Sequence, residues 1–139
     1  AAANALDDYE EGTFTSTLTG GSGNPGTKIN TTYARYTKVG NTVNFWISFE
    51  NFDSSSYSGR VDVEGLPFTH SNSTLRVVTQ CAQYNLFSWS AAEYLSGVLE
   101  PNGTKVVIYR IRSNTGWDDP SWNNGAGKYL WVNGTYTTG

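Results

Sequence analysis

Trp117 and Trp122 bracket two acids in the run SNTGWDDPSWNNGAG, which also carries Asn114, Asn123 and Asn124. Sugar recognition needs a flat aromatic ring against the C–H face of a pyranose, and planar polar side chains that exchange hydrogen bonds with its hydroxyls. Such groups commonly sit on loops held by a rigid scaffold. Trp117, Asp118, Asp119, Trp122, Asn123 and Asn124 supply both kinds in one short run, with Pro120 and the glycines shaping its turns. A second run, FDSSSYSG, sets Phe52 and Tyr57 around a serine cluster, and a third, NLFSWSAAEY, carries Phe87, Trp89 and Tyr94. Tyr57 counts among the candidate sugar contacts if the loops share one end of the fold, and Trp89 is expected to be buried. For Trp117 and Trp122 a second reading stays open, in which they fold back and plug the end of a β-sandwich.

Catalysis finds less support. Glycoside hydrolysis needs two carboxylates about 5 to 9.5 Å apart across a bound sugar. Asp118 and Asp119 are adjacent, so on an extended chain they point apart, and in a turn they cap amides or hold a cation. Nothing in the spacing of Glu50, Asp53, Glu93 and Glu100 makes them converge. His70, in FTHSNS, has no nucleophile and base around it and reads as a loop residue. The Asp118–Asp119 pair lacks the alternating acidic ligands of a calcium loop. The expectation is a binding protein with no catalytic residue, metal or cofactor. Cys81, in LRVVTQC, reads as a small buried apolar residue. Asn-X-Ser/Thr triplets start at Asn30, Asn72, Asn102 and Asn133, but a chain so rich in Asn, Ser and Thr produces them by chance.

Near the start, Asp7, Asp8, Glu10 and Glu11 crowd around Tyr9 in LDDYEEGTFTSTLTGG. Like charges this close repel, so something must compensate them. Either cations or backbone amides hold the cluster, or it is a solvated linker in which only Tyr9 packs.

Only 15% of the residues are charged, 14% are aromatic, 15 are glycine and 37% are hydrophobic, a balance that suits an all-β protein with many turns. A length of 139 residues fits one domain with a single core. The net charge of -3 and scattered Lys and Arg give no footprint for a phosphate backbone, so nucleic acid is not an expected partner. No stretch approaches the roughly 20 apolar residues that cross a bilayer, and no membrane insertion is expected. With no methionine present, the chain is expected to be a piece of something longer. The Ala-rich AAANA then reads as the tail of a preceding segment. Residues 1–8 are assigned to a stem or linker, and 9–139 to the domain.

In NTVNFWISF, Val43, Phe45, Ile47 and Phe49 alternate with polar neighbours and Trp46, the period of a half-buried strand. A tight turn at Val39-Gly40-Asn41-Thr42 joins it to YARYTK in a hairpin. Further strands are read at 13–19, 59–64, 74–84, 94–99, 104–112 and 128–136, giving roughly eight in all and predicting an antiparallel β-sandwich of jelly-roll type. Gly65-Leu66-Pro67-Phe68 ends one of them. KVVIYRIRS is apolar on both faces, which predicts that its second face is covered. Trp46, on the polar side of its strand, poses the same question. Contacts between subunits through Trp46, Val107 and Tyr109 would answer both, and cover by the other sheet or a loop is the alternative.

The strings LDDYEEGTFTSTLTGG, ARYTKVGNTVNFWISF, VEGLPF and WVNGTYTTG together resemble the carboxy-terminal receptor-binding domain of bacteriophage and prophage tail fibres and tailspikes. In that family a segment like LDDYEEGT joins a stem to a β-structured head. The resemblance implies a homotrimer at the distal tip of a fibre on the virion, attaching it to a surface polysaccharide or another bacterial receptor. Three copies of Asp7, Asp8, Tyr9, Glu10 and Glu11 would then meet near the threefold axis, with Lys28, Arg35 or Lys38 of an adjacent chain as partners. The middle of the chain and the long loops vary within such heads, so the resemblance bears on the structural module and little on the ligand. Two rival roles are kept: a trimerisation and capping domain for the stem, and a polysaccharide depolymerase with two carboxylates facing one cleft.

Overall fold

The computed structural model describes residues 8–71, 74–90, 93–113 and 116–138, so Asp7 and Asn114 lie outside the described residues. The strands are β1 (Tyr9–Thr13), β2 (Thr17–Gly20), β3 (Tyr33–Val39), β4 (Thr42–Phe52), β5 (Val61–Glu64), β6 (Val77–Tyr84), β7 (Phe87–Ser88), β8 (Glu93–Leu99), β9 (Lys105–Arg112), β10 (Gly116–Asp118), β11 (Ser121–Trp122) and β12 (Lys128–Thr137). No helix forms among the described residues. Every pairing is antiparallel, and the all-β sandwich class expected from the sequence is what forms.

The sandwich is made from one curled sheet rather than two separate ones. Its order is β1-β3-β4-β12-β6-β8-β9-β5-β2, with β10 added beside β9. The turning point is β6, which pairs with β12 through Gln80–Tyr84 and with β8 through Val77–Thr79. A strand that passes from one layer to the other in this way makes a corner. Backbones approach closely there: a β-carbon on Gly134 would stand 2.9 Å from Thr79 Cγ2.

Alternation along β4 buries Val43, Phe45, Ile47 and Phe49 and turns Asn44, Trp46 and Ser48 outward. Gly40 takes the left-handed φ of 59° that a two-residue hairpin loop requires before this strand. Opposite lie Leu18, Val61, Val63, Leu99, Val106 and Ile108, all at 0% exposure. Each fully buried side chain of this size contributes about 1.5 to 3 kcal/mol through apolar burial. Phe45 and Tyr136 meet edge to face with centroids 5.8 Å apart. Cys81 packs against this core, and burial pushes its thiol up to about 11.

The structure changes or decides three points of the sequence reading. The stretch read as one strand, 13–19, is broken at Phe14–Ser16, where the chain leaves β1 in one layer and reaches β2 in the other. The acidic cluster is no linker from Tyr9 onward, because Tyr9–Glu11 lie in the sheet-edge strand β1 with Glu10 opposite Lys38. Glu10 accepts a hydrogen bond from Tyr36, and Glu11 one of 2.6 Å from Tyr9. Finally, Val107 is only 1% exposed within this single chain, flanked in register by Asp62 and Val98. It has no surface to offer another subunit, which corrects its assignment to an interface.

Candidate functional site

The three aromatic loops do converge at one end, but largely to pack on one another. Trp122 stacks on Tyr57 with centroids 5.0 Å apart and planes 12° from parallel, and meets Phe87 edge to face at 5.4 Å. Its indole N–H donates to the Gly59 carbonyl at 2.9 Å. Tyr57 is buried, its hydroxyl donating to the Leu18 carbonyl and accepting from the Ile29 amide. Asn123 donates to Asn85, and Asn124 to the Ser54 and Tyr57 carbonyls. The short pair β7–β11 ties this plug together. Tyr57 therefore has no ring face for a sugar, and Trp122 has its face on Tyr57. Trp89, expected to be buried, is exposed at 49% while Phe87 is buried.

Asp118 is also engaged. Within β10 it faces β9, where Arg110 donates to both of its oxygens at 3.0 and 3.2 Å, and Arg112 donates as well. The Arg110 bonds hold its carboxyl below the usual carboxylate range, with Arg112 adding to the effect. Glu93 approaches the same two guanidinium groups at 3.7 and 4.0 Å. Both acids are held by the same two guanidinium groups. His70 lies in a loop, as read, yet is wholly buried, with both ring nitrogens 3.0 Å from the carbonyls of Thr137 and Leu75.

Of the loop candidates, Trp117, Asp119 and Asn124 are exposed, and the Asn124 amide is already taken up by the Ser54 and Tyr57 carbonyls. Trp117 packs edge to face on half-buried Tyr109 at 4.4 Å. In register it stands beside Ile111, and Ile111 beside Tyr94. All three are on the outer face of the sheet, because Val106 and Ile108 of β9 point into the core.

That face continues round the curl and carries the aromatic residues that loop-centred reasoning missed. Tyr84 meets Tyr129 at 5.8 Å, and Tyr129 stacks on Trp131 at 5.7 Å. Tyr33, Trp46 and Trp131 line a shallow dent further along. Exposed on this face are Tyr33, Trp46, Tyr84, Tyr94, Trp117 and Trp131. The alternation signal existed in KYLWVNGTYT, where Tyr129 and Trp131 fall on the phase opposite to Leu130 and Val132. Between Trp131 and Tyr94, over the outward residues of β6, runs an open groove of about 490 Å³.

No family model matches the chain, and a comparison with curated proteins finds no match. Among solved structures the chain is similar to the Dettilon tailspike protein (gp208), with a TM-score of 0.74 at 19% sequence identity. The match covers 93% of this chain but 24% of that one, so the chain spans about a quarter of the tailspike's length. At this identity the likeness is one of fold.

Proposed function

We propose that this chain is a receptor-attachment module of a bacteriophage tail. It forms the head at the distal tip of a tail fibre or tailspike on the virion, assembles as a homotrimer, and holds a bacterial surface receptor without cleaving it. The carrying observation is the outer face, where exposed rings run from Trp117 through Tyr94, Trp131 and Trp46 to Tyr33. A soluble monomer seldom leaves so much contiguous aromatic surface without a partner. The fold shared with a tailspike protein supports the tail assignment, and the sequence resemblance supports the attachment role. Engagement of Glu93 and Asp118 by arginines favours binding over hydrolysis.

One region favours a second role beside attachment. Tyr33, Arg35, Thr37 and Trp46 line a shallow depression of about 420 Å³ on β3 and β4, next to the acidic edge strand β1. Apolar rings beside an arginine and a row of acids suit a contact between like subunits, which would hold Tyr9, Glu10, Glu11 and Trp46 at a trimer interface. Asp8, next to Tyr9, belongs to the same expected contact, whereas Tyr109, also expected at an interface, packs against Trp117 on β9, away from this depression. Trp117 and Asp119 then remain outside it, on the receptor side.

The test is direct. The purified chain is passed through a mass measurement and then mixed with a panel of bacterial strains. A trimer that sediments with some strains and leaves their surface polysaccharide intact supports the reading. A monomer that binds no strain, or release of shortened polysaccharide, refutes it.

A further inference from the structure

The ladder between β6 and β8 ends at Thr79 opposite Gly97. Past that point β6 stays with β12 and β8 stays with β9, so the two strands part and leave a crevice on the outer face. Trp131 and Asn133 form one wall, Tyr94 and Ser96 the other, and Gln80 and Ala82 lie on the floor. Trp131 is 37% exposed and Tyr94 61%, so both rings have surface for a ligand.

We propose that this crevice is a binding subsite for an uncharged oligosaccharide. The inference rests on the attachment reading above and names the place and the ligand class. Three features select that chemistry. The crevice pairs two aromatic walls with two amides and a hydroxyl, matching the alternating C–H faces and hydroxyl edges of a pyranose chain. Its lining contains no charged residue, and the chain as a whole is acidic, so nothing there compensates a carboxylate or phosphate on the ligand. Its volume of about 490 Å³ falls within the usual range of ligand sites. Past Thr79 and Gly97 the facing main-chain edges of β6 and β8 lie outside the ladder between them.

The face also gives the chain direction. Tyr94, Ile111 and Trp117 are in register across β8, β9 and β10. At a strand spacing of about 4.8 Å, Trp117 stands roughly 10 Å beyond Tyr94. A glycan leaving the crevice over Tyr94 therefore meets Trp117 with a later sugar unit. Longer oligosaccharides gain from Trp117, while the shortest ones bind at Trp131 and Tyr94 alone.

Short and long neutral hexose oligosaccharides, with matched hexuronic acid oligomers, are titrated against the full chain by calorimetry, and cell binding is measured alongside. Expected is saturable binding of a neutral oligomer, reduced about tenfold or more by Trp131→Ala and by Tyr94→Ala, each with an unchanged melting temperature. Gln80→Glu, which keeps the side-chain shape and adds charge, should weaken the same binding. Trp117→Ala should weaken the long oligomers only. Binding that survives Trp131→Ala with Tyr94→Ala, preference for the acidic oligomers, or no binding of any oligomer overturns the proposal. So does protection of the Gln80–Ala82 amides from hydrogen exchange when copies assemble, because a second copy would then fill the crevice. Cell binding by the chain that ignores all four substitutions overturns the subsite and leaves the attachment reading standing. Loss of cell binding by the unaltered chain overturns the attachment reading itself.

Discussion

Gly97 and Thr79 face each other across the corner of the curled sheet, and a β-carbon on Gly97 would overlap Thr79 Oγ1 and stand 2.9 Å from Val106 Cγ1. The corner exists because position 97 carries no side chain. Gly97→Ala is expected to destabilise the fold by about 1 to 3 kcal/mol, the usual cost of overpacking, read as a lower urea midpoint. Among the described residues the buried Thr79 hydroxyl has no hydrogen-bond partner, so Thr79→Val should leave stability unchanged or raise it. A stable Gly97→Ala variant would show that the corner has room.

Trp122 and Trp117, five positions apart and alike in sequence context, should behave oppositely. Trp122→Ala removes the stack on Tyr57 and the bond to Gly59, at a cost of about 3 kcal/mol. Trp117→Ala removes an exposed edge contact with Tyr109 and should cost no more than about 1 kcal/mol. Thermal melts of the two variants decide between them.

Acid should loosen the β9–β10 pair before the core melts. Arg110 and Arg112 hold Asp118 ionised below its ordinary value of 3.8, so the contribution of this pairing is present at neutral pH and is lost as pH falls through the lowered value. Trp117 fluorescence should change in that acid range. Asp118→Asn should abolish the acid transition.

The opposite sign applies to Cys81. Its thiol stays protonated in the fold up to about 11, whereas the unfolded thiol ionises near 9. Stability from this group is complete below pH 9 and is lost between there and about 11. Alkylation by iodoacetamide at pH 8 should be far slower than in urea. Rapid alkylation of the folded chain would contradict the burial.

Trp46→Glu, on the outward phase of β4, should lower the assembled mass while far-ultraviolet dichroism stays unchanged. An intact trimer would move the subunit contact away from β3 and β4.

The strands with strict alternation were legible in the sequence, and β4 is the clearest case, since Val43, Phe45, Ile47 and Phe49 report one buried face. The two-residue pairs β7 and β11 were not, because their partners come from loops far apart in sequence. The convergence of Tyr57, Phe87 and Trp122 was legible as composition only. Whether those rings meet a ligand or one another depends on geometry that residue types do not carry. Trp131 and Tyr129 were passed over for a related reason: in a strand, an aromatic residue on the outward phase looks like ordinary β propensity. The corner at Thr79 depends on two glycines, Gly97 and Gly134, that are distant from it in the chain and read as strand interruptions.

The last strand to be synthesised among those described, β12, lies between β4 and β6 in the sheet. While residues 128–137 are still inside the ribosome, β4 and β6 each lack that neighbour, and the outer wall of the crevice that carries Trp131 does not exist. Completion of the curled sheet must wait for contacts that are long-range in sequence, which makes folding slow. A nascent chain paused short of Lys128 would carry two bare strand edges, the state in which a holdase chaperone or a neighbouring nascent copy can intervene.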